Sequence, residues 1–470
     1  MRITAIVGTI RQADKHGPAS MRDMPARARR AARQIVVLGG CMLMSASAAI
    51  AAGPSWLDGL FSPAKPVQLA QSRGNDASAP VIGRSEWNQP FDTSQPSEIQ
   101  LSAGSNHALL SPETIPAIEQ AIARYEYILA SGGWPQVPSG APLKIGMKDA
   151  RVIALRQRLA ASGDLAQSLG DPSTFDSYVE TAVRRFQARN GLREDGVVRD
   201  ETLSALNVPP ADRLQQLRAN LERMKEFIKE FGRKGPPPRF VMVNIPAAEI
   251  EAVDNQIVVS RHTAIVGKPE RPTPLIVSKI HELNFNPFWH VPQSIVERDV
   301  IPAMQRDPEY LNKNLIRAYD KDENVVDTKM IDWNSDEPLL YQYRQDPGED
   351  INSLGAVKLN FSNKHAVFLH DTPQKRLFGQ NYRAYSSGCV RVQNVEQLIT
   401  WLLQGNTDED WSGRRVDAVI RSGERIDVAI KDPVPLYLIY VTAWATPEGI
   451  VNFRRDLYER DGVGPLAASY

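Results

Sequence analysis

The chain has 470 residues, of which 42% are hydrophobic and 23% charged, so it is a globular protein with room for two to four domains. Its net charge is zero, but residues 1–52 hold eight basic and two acidic residues. The rest carries 47 basic and 53 acidic residues, a net charge of −6. That remainder lacks the basic surface that nucleic-acid binding needs, which excludes this class of partner.

The N-terminus has the layout of a secretory signal. Arginines precede an apolar run from Ile35 to about Ile50, and small residues suited to a signal peptidase follow at 46–48 and 49–51. The run is shorter than the roughly 20 residues that span a bilayer. We therefore predict a signal peptide over residues 1–52 and a periplasmic location. A retained membrane anchor is the alternative.

The chain has two cysteines, Cys41 and Cys389. Cleavage of the signal would remove Cys41, so Cys389 would stand alone in a compartment where disulfides form and persist. A lone cysteine there is either a small buried hydrophobe or a functional thiol. The residues around it have to decide between the two.

Composition and periodicity divide the remaining chain into segments. Residues 53–105 are rich in Ser, Pro, Gly, Asn and Gln, which is typical of a flexible linker. Apolar residues at helical spacing predict a helical scaffold over 106–141 and 210–234. Between them, residues 142–209 predict a compact unit of three helices.

A boundary follows at Gly235-Pro236-Pro237-Pro238, beyond which the pattern changes to short runs of branched residues typical of strands. Residues 235–470 therefore predict a mainly β domain. Charged, helical-looking sequence interrupts it at about 291–355, and we interpret this stretch as an inserted lid.

The chemistry-bearing stretch is HDTPQKRLFGQNYRAYSSGCVRV, from His370 to Val392. His370 ends an apolar strand, and Cys389 follows Gly388 in a turn where glycine permits unusual backbone angles. An imidazole within reach of a thiol can take its proton, and the thiolate is the useful nucleophile. The backbone N–H groups of Gly388 and Cys389 are candidates for holding an oxyanion. These are the parts of an acyl-transfer enzyme.

Two families resemble these segments. The pattern AVRRFQARNGLREDGVV…ETLSALN resembles small three-helix peptidoglycan-binding domains. The strand-borne His370 with Ser-x-Gly-Cys-x-Arg, together with Val266-Gly267-Lys268, Thr273-Pro274 and Asn286-Pro287-x-Trp289, resembles the YkuD-type L,D-transpeptidases, and most closely their large proteobacterial YcbB-type branch. The fold implied is a multi-domain α+β one: a mainly β YkuD-type catalytic domain with an inserted lid, a helical scaffold and a three-helix peptidoglycan-binding module.

The resemblance implies a reaction on peptidoglycan stem peptides. Cys389 would attack the third residue of a donor tetrapeptide and expel the terminal D-alanine, and the diaminopimelate amine of an acceptor stem would then take the acyl group in a 3→3 cross-link. His370 would serve as proton donor and acceptor. No cofactor is implied, because the exchanged peptide bond supplies the energy, and no metal or phosphate-binding motif occurs in the sequence.

The sequence departs from the commonest form of the family motif at Ser387, where a histidine usually stands. This leaves His370 as the nearby base, and the group that orients it is either Asp371 or a backbone carbonyl. Arg391 is the candidate for stabilising the thiolate or holding a substrate carboxylate. An ordinary surface salt bridge is its alternative role.

Four aromatic residues are predicted to line the substrate cleft, each with simple packing as the alternative: Tyr382, Tyr385, Phe378 and Trp289.

Three other functions stay open. With water as acceptor the enzyme would be an L,D-carboxypeptidase, and with a protein amine it would anchor an envelope protein to the wall. From another class, the chain would be a wall-binding protein with an inactive catalytic domain. Module 142–209 either binds glycan or only provides scaffolding.

Overall fold

The computed structural model describes residues 105–166, 171–348 and 351–462. The predicted signal peptide, and the predicted linker except for its last residue, lie outside this part. The helices α1 to α10 are Thr114–Ala130, Arg151–Ala161, Ser177–Arg189, Asp200–Leu206, Pro210–Phe231, Gln293–Ile295, Ile301–Arg306, Tyr310–Lys313, Val395–Leu403 and Gly413–Ser422. The strands β1 to β15 are Arg239–Asn244, Glu249–Asp254, Ile257–Gly267, Ile276–Phe285, Trp289–His290, Ile316–Tyr319, Val325–Val326, Gln342–Gln345, Val357–Phe361, Leu369–His370, Ala384–Ser386, Val390–Val392, Ile426–Ile439, Ala443–Ala445 and Val451–Phe453.

The large sheet closes on itself. Its strand order is β11-β3-β12-β10-β9-β4-β13-β1-β2, and β2 also pairs with β3, which closes a ring from β3 to β2. Strand β11 pairs with the end of β3 beside this ring. Closure satisfies the backbone groups that edge strands would otherwise leave unpaired. The predicted α+β class with a mainly β catalytic domain is confirmed.

Strand β1 is buried on both faces, as its unbroken apolar sequence requires. Val241 and Val243 join the core that also holds α9 and α10. Phe240 and Met242 alternate with them and point into a second core, because successive side chains of a strand face opposite ways. The barrel-like sheet is therefore covered on this second side as well.

Helices α1 and α5 supply that cover. Their apolar faces pack together and against the sheet through Ile118, Tyr125, Leu217 and Met224, which are 0–3% exposed. Helix α5 starts with Pro210, a residue suited to the first helical position.

The unit between the two scaffold helices consists of α2, α3 and α4 around its own core, which includes Val152, Leu155 and Phe186. Asp176 caps α3 by accepting hydrogen bonds from the N–H groups of Tyr178 and Val179. Local caps and an apolar face explain why this segment folds as three helices.

Buried polar contacts fix this three-helix unit to the β domain. The Arg189 guanidinium pairs with Asp164 (Nε to Oδ1 2.6 Å) and also donates to the Val451 carbonyl at 3.3 Å. Arg454 in turn donates to the Arg189 carbonyl at 3.0 Å. Nearby, the Arg193 N–H donates to Asn381 Oδ1 at 2.7 Å, which ties the unit to the loop after His370.

The inserted segment has a different structure from the predicted one. Besides α6, α7 and α8 it forms a four-stranded sheet of order β5-β8-β6-β7 with a separate apolar core. The helical prediction was incomplete because these strands are two to four residues long, too short for an alternating pattern to stand out. In the described ranges, no helix is long and apolar enough to cross a membrane.

Candidate active site

Strand β10 places His370 opposite the apolar core. Its neighbour Leu369 is fully buried in the core and pairs in register with Val390 of β12 and Leu359 of β9. His370 pairs in register with Arg391 on β12 and Lys358 on β9. Since register partners share a face, these three side chains form a row across three adjacent strands.

Cys389 lies on the same face. Cys389 precedes Arg391 by two residues, so the two side chains point the same way. The Val390 N–H, directly after Cys389, donates to the Phe368 carbonyl at 3.1 Å and holds this part of the chain beside β10. Cys389 and His370 are therefore diagonal neighbours on adjacent strands, the arrangement in which longer side chains reach each other.

The position of the imidazole proton follows from its partner. His370 Nδ1 hydrogen-bonds the backbone carbonyl of Asp371, which can only accept, so Nδ1 carries the hydrogen. Nε2 is then the free base. Burial is the largest cause that lowers the His370 pKa, with Arg391 second, and the value falls to about 3. The imidazole is neutral at physiological pH.

The Asp371 carboxylate has partners other than the imidazole. It accepts the Ala356 N–H at 3.1 Å and pairs with Lys375. Gly355 lies so close that an added Cβ would approach Asp371 Oδ2 to 2.4 Å. Of the two orienting groups left open by the sequence, the structure has the backbone carbonyl.

The turn before Cys389 depends on a glycine and a serine. Gly388 has φ +119°, which side chains rarely tolerate. Ser386 Oγ accepts the Gly388 N–H at 3.1 Å and bonds the Cys389 carbonyl. The expectation that the Gly388 N–H holds an oxyanion is therefore wrong for this conformation, whereas the Cys389 N–H has no acceptor among the described residues.

The Thr273 side chain connects this turn to the end of β3. Its hydroxyl donates to the Gly388 carbonyl at 2.9 Å and accepts the Gly267 N–H at 2.8 Å. Tyr458 locks the same loop, because its hydroxyl accepts the Thr273 N–H and donates to the Gly267 carbonyl. Gly267 is required here, since a Cβ would lie 2.3 Å from the Arg271 carbonyl oxygen.

Burial and the neighbouring polar groups shift the pKa of the Cys389 thiol in opposite directions. Burial raises the pKa of Cys389 above its usual range, and a hydrogen bond from the Phe368 backbone and the charges of Lys358 and Arg391 lower it. Burial prevails, so the resting group is a thiol. Arg391 is partly buried, and its Nη1 donates to Gln374 Oε1 at 2.7 Å. It makes no surface salt bridge within the part of the chain that the structure describes.

Ser387 is exposed, and a cation lies next to it. Arg271 Nη1 donates to Ser387 Oγ at 3.0 Å, and Nη2 donates to Asp299 Oδ1 at 3.1 Å. Asp299 belongs to the π-helical turn Val296–Val300 of the inserted segment. Arg271 therefore connects the inserted segment to Ser387, in the turn before Cys389.

The four aromatic residues predicted to line the cleft divide into two pairs. Tyr382 and Tyr385 pack edge to face with centroids 5.3 Å apart, and Tyr385 is 41% exposed. The prediction was wrong for Phe378, which is only 2% exposed. Trp289 is partly exposed and packs against the core of the insertion, so its place in a cleft stays a prediction. The Phe378 ring gains more from burial than from an open cleft.

Sequence reasoning missed three residues of the site. Lys358 lies beside His370 only because of strand register, and Arg271 and Tyr458 arrive from distant segments. Of the three, only Arg271 had a nearby signal, the neighbouring Thr273-Pro274 motif.

Family models match both parts of the chain. Residues 238–419 match the YkuD L,D-transpeptidase catalytic domain, and residues 148–206 match the "Putative peptidoglycan binding domain". The region that matches the catalytic domain contains β10, β12 and the turn before Cys389.

A curated relative from Haemophilus influenzae, named "Putative L,D-transpeptidase", is 34% identical over 248 residues, which cover 53% of this chain and 48% of the relative. The chain thus spans about half the length of this relative. Solved L,D-transpeptidases also match. The Stackebrandtia nassauensis structure has 11% identity, covers 65% of this chain and 96% of its own, and has a TM-score of 0.25. The Xylanimonas cellulosilytica structure has 15% identity, covers 64% and 99%, and has a TM-score of 0.21.

Thr273→Val tests whether the Thr273 hydroxyl stabilises the turn before Cys389. It removes a hydroxyl that serves two buried backbone groups, so we expect a loss of about 1–3 kcal/mol in unfolding free energy and an acylation rate of Cys389 lower by about 10- to 100-fold. Denaturant unfolding and acylation kinetics measure both. Thr181→Val is the control, because its exposed hydroxyl bonds only the Ser177 carbonyl. Equal effects of the two substitutions would contradict the role of Thr273.

Proposed function

We propose that the protein is a peptidoglycan L,D-transpeptidase that forms 3→3 cross-links through a thioester on Cys389. The observation that carries this proposal is the row on β9, β10 and β12. It combines a base with a free Nε2, His370, and two cations on the face that also bears the thiol. The family match of the domain agrees with this chemistry.

In the first half-reaction the Cys389 proton passes to His370 Nε2 as Sγ attacks the carbonyl of the donor's third residue. A C–S bond forms, and the carbonyl oxygen becomes an oxyanion within reach of the free Cys389 N–H. The C–N bond to the terminal D-alanine then breaks, and His370 returns its proton to the leaving amine. The thioester and free D-alanine are the products.

In the second half-reaction the roles of His370 reverse. The diaminopimelate amine of an acceptor stem attacks the thioester and gives a proton to Nε2, the C–S bond breaks, and the sulfur recovers that proton. The neutral resting imidazole suits this role because it is ready to accept a proton in both halves.

The site of action in this proposal is the periplasm. The matched peptidoglycan-binding domain would hold wall material beside the catalytic domain, since its helices are fixed to that domain by Arg189 and Arg454. Water or an envelope-protein amine as acceptor uses the same thioester, so these alternatives differ only in the second half-reaction.

Product masses distinguish the acceptors. Purified protein is incubated with disaccharide-tetrapeptide, and we expect cross-linked dimers lacking one D-alanine. Tripeptides alone would identify a carboxypeptidase and contradict transpeptidation. Cys389→Ala is the matched control and should give neither product. If the wild type gives neither product and no carbapenem adduct on Cys389, the wall-binding alternative replaces ours.

The pH dependence of acylation tests whether His370 and Cys389 are both uncharged in the resting enzyme. Because the His370 pKa is lowered to about 3 and the Cys389 pKa is raised, neither group changes charge between about pH 5 and 8. We expect kcat/KM for D-alanine release to be flat across this window. In His370→Gln only the small thiolate fraction reacts, so the rate should rise about tenfold per pH unit. A wild-type acid limb near pH 6.5, the ordinary histidine value, would refute this assignment.

A further inference from the structure

Lys358 contributes a positive charge beside the thiol, but no substrate group has yet been assigned to it. It belongs to β9, is partly buried, and pairs in register with His370. Its Nζ lies 4.6 Å from the centroid of the Phe368 ring, so the ammonium is held over the residue whose backbone bonds the thiol. A cation here is close enough to the nucleophile to affect it.

No carboxylate of the described chain pairs with this ammonium. Burial lowers the Lys358 pKa, although Cys389 and the carboxylates of Glu282 and Asp427 raise it. Both carboxylates accept hydrogen bonds from neighbouring asparagine amides, at 2.8 Å for Asp427 Oδ1 and 2.7 Å for Glu282 Oε2. Among residues 105–166, 171–348 and 351–462, no ion pair within 4.0 Å includes Lys358. A partly buried cation without an ion-pair partner in contact is costly, and a carboxylate of a ligand would stabilise it.

The donor peptide has an anion at the matching distance. During acylation the leaving nitrogen must lie at His370 Nε2, and the carboxylate of the terminal D-alanine is attached to the next carbon. Lys358 is one strand away from His370, and adjacent strands are about 4.8 Å apart. Arg391, on the other side, already donates to Gln374. Lys358 is therefore the cation on the β9 side that can bind this carboxylate.

We propose that Lys358 binds the free carboxylate of the donor's leaving residue and thereby restricts the enzyme to peptides that end one residue after the scissile bond. This inference rests on the proposed function for its ligand. It makes Lys358 a specificity residue of the first half-reaction. It assigns no role to Lys358 in the second, where the carboxylate has left.

The test compares two donors, disaccharide-tetrapeptides ending in D-alanine or in D-alaninamide, with wild type, Lys358→Met and Lys358→Arg. We expect wild type to be acylated about 10- to 100-fold faster by the D-alanine donor than by the D-alaninamide donor, which is the range that a charged hydrogen bond gives. Lys358→Met should slow both donors through the lost charge beside the thiol, and should slow the carboxylate donor by that further factor, so that the preference between the two donors disappears. Lys358→Arg should recover part of the preference. Lys279→Met, at an exposed lysine of β4, is the control.

Equal losses of Lys358→Met on both donors would overturn the proposal, because a role only in activating the thiol or in packing does not sense the leaving residue. Binding of both donors to Cys389→Ala, measured by calorimetry, separates this outcome from failure of the proposed function. The carboxylate donor should bind more tightly by about 10-fold or more, and Lys358→Met should remove the difference. Equal affinities would overturn the proposal even if turnover occurs, and a difference would support it even if no cross-link forms.

Discussion

The alignment of β10 with β9 and β12 is the constraint on which the site depends. Strand β10 is only two residues long, yet Leu369 is locked into the core by partners on both sides. A shift by one residue would turn His370 into the apolar core and Leu369 away from it. The closed sheet, the buttress of Thr273 and the helices on the second face all resist that shift. The rigid scaffold therefore has a chemical purpose: it keeps a base, a thiol and two cations on one face.

Burial keeps His370 and Cys389 uncharged in the resting site. It lowers the pKa of His370 and raises that of Cys389, so charge separation between them is unfavourable before substrate binds. Lys358, Arg391 and the Cys389 N–H act in the opposite direction once negative charge develops. Such an arrangement limits unwanted reactions of the Cys389 thiol, because the reactive thiolate is scarce in the resting site.

Features that depend on neighbouring residues could be predicted from the sequence, whereas contacts between distant segments could not. Helices α1 to α5 follow from apolar periodicity, and Cys389 and His370 follow from a compact motif. Strand β2 escaped prediction because its acidic residues suggest an exposed segment, whereas Glu249 and Glu251 are buried against Arg261. Lys358 escaped for a different reason. Its role depends on register with β10, and register is decided by the pairing of the whole sheet. The group orienting His370 is a backbone carbonyl, which leaves no trace in side-chain identity.

The most direct test of the account is the mass of the protein during turnover. Wild type is mixed with disaccharide-tetrapeptide in the absence of acceptor, quenched with acid, and its intact mass and digested peptides are measured. We predict a gain equal to the donor minus D-alanine, located on Cys389 and absent from Cys389→Ala. Release of D-alanine without this adduct, or an adduct that persists in Cys389→Ala, would contradict the account.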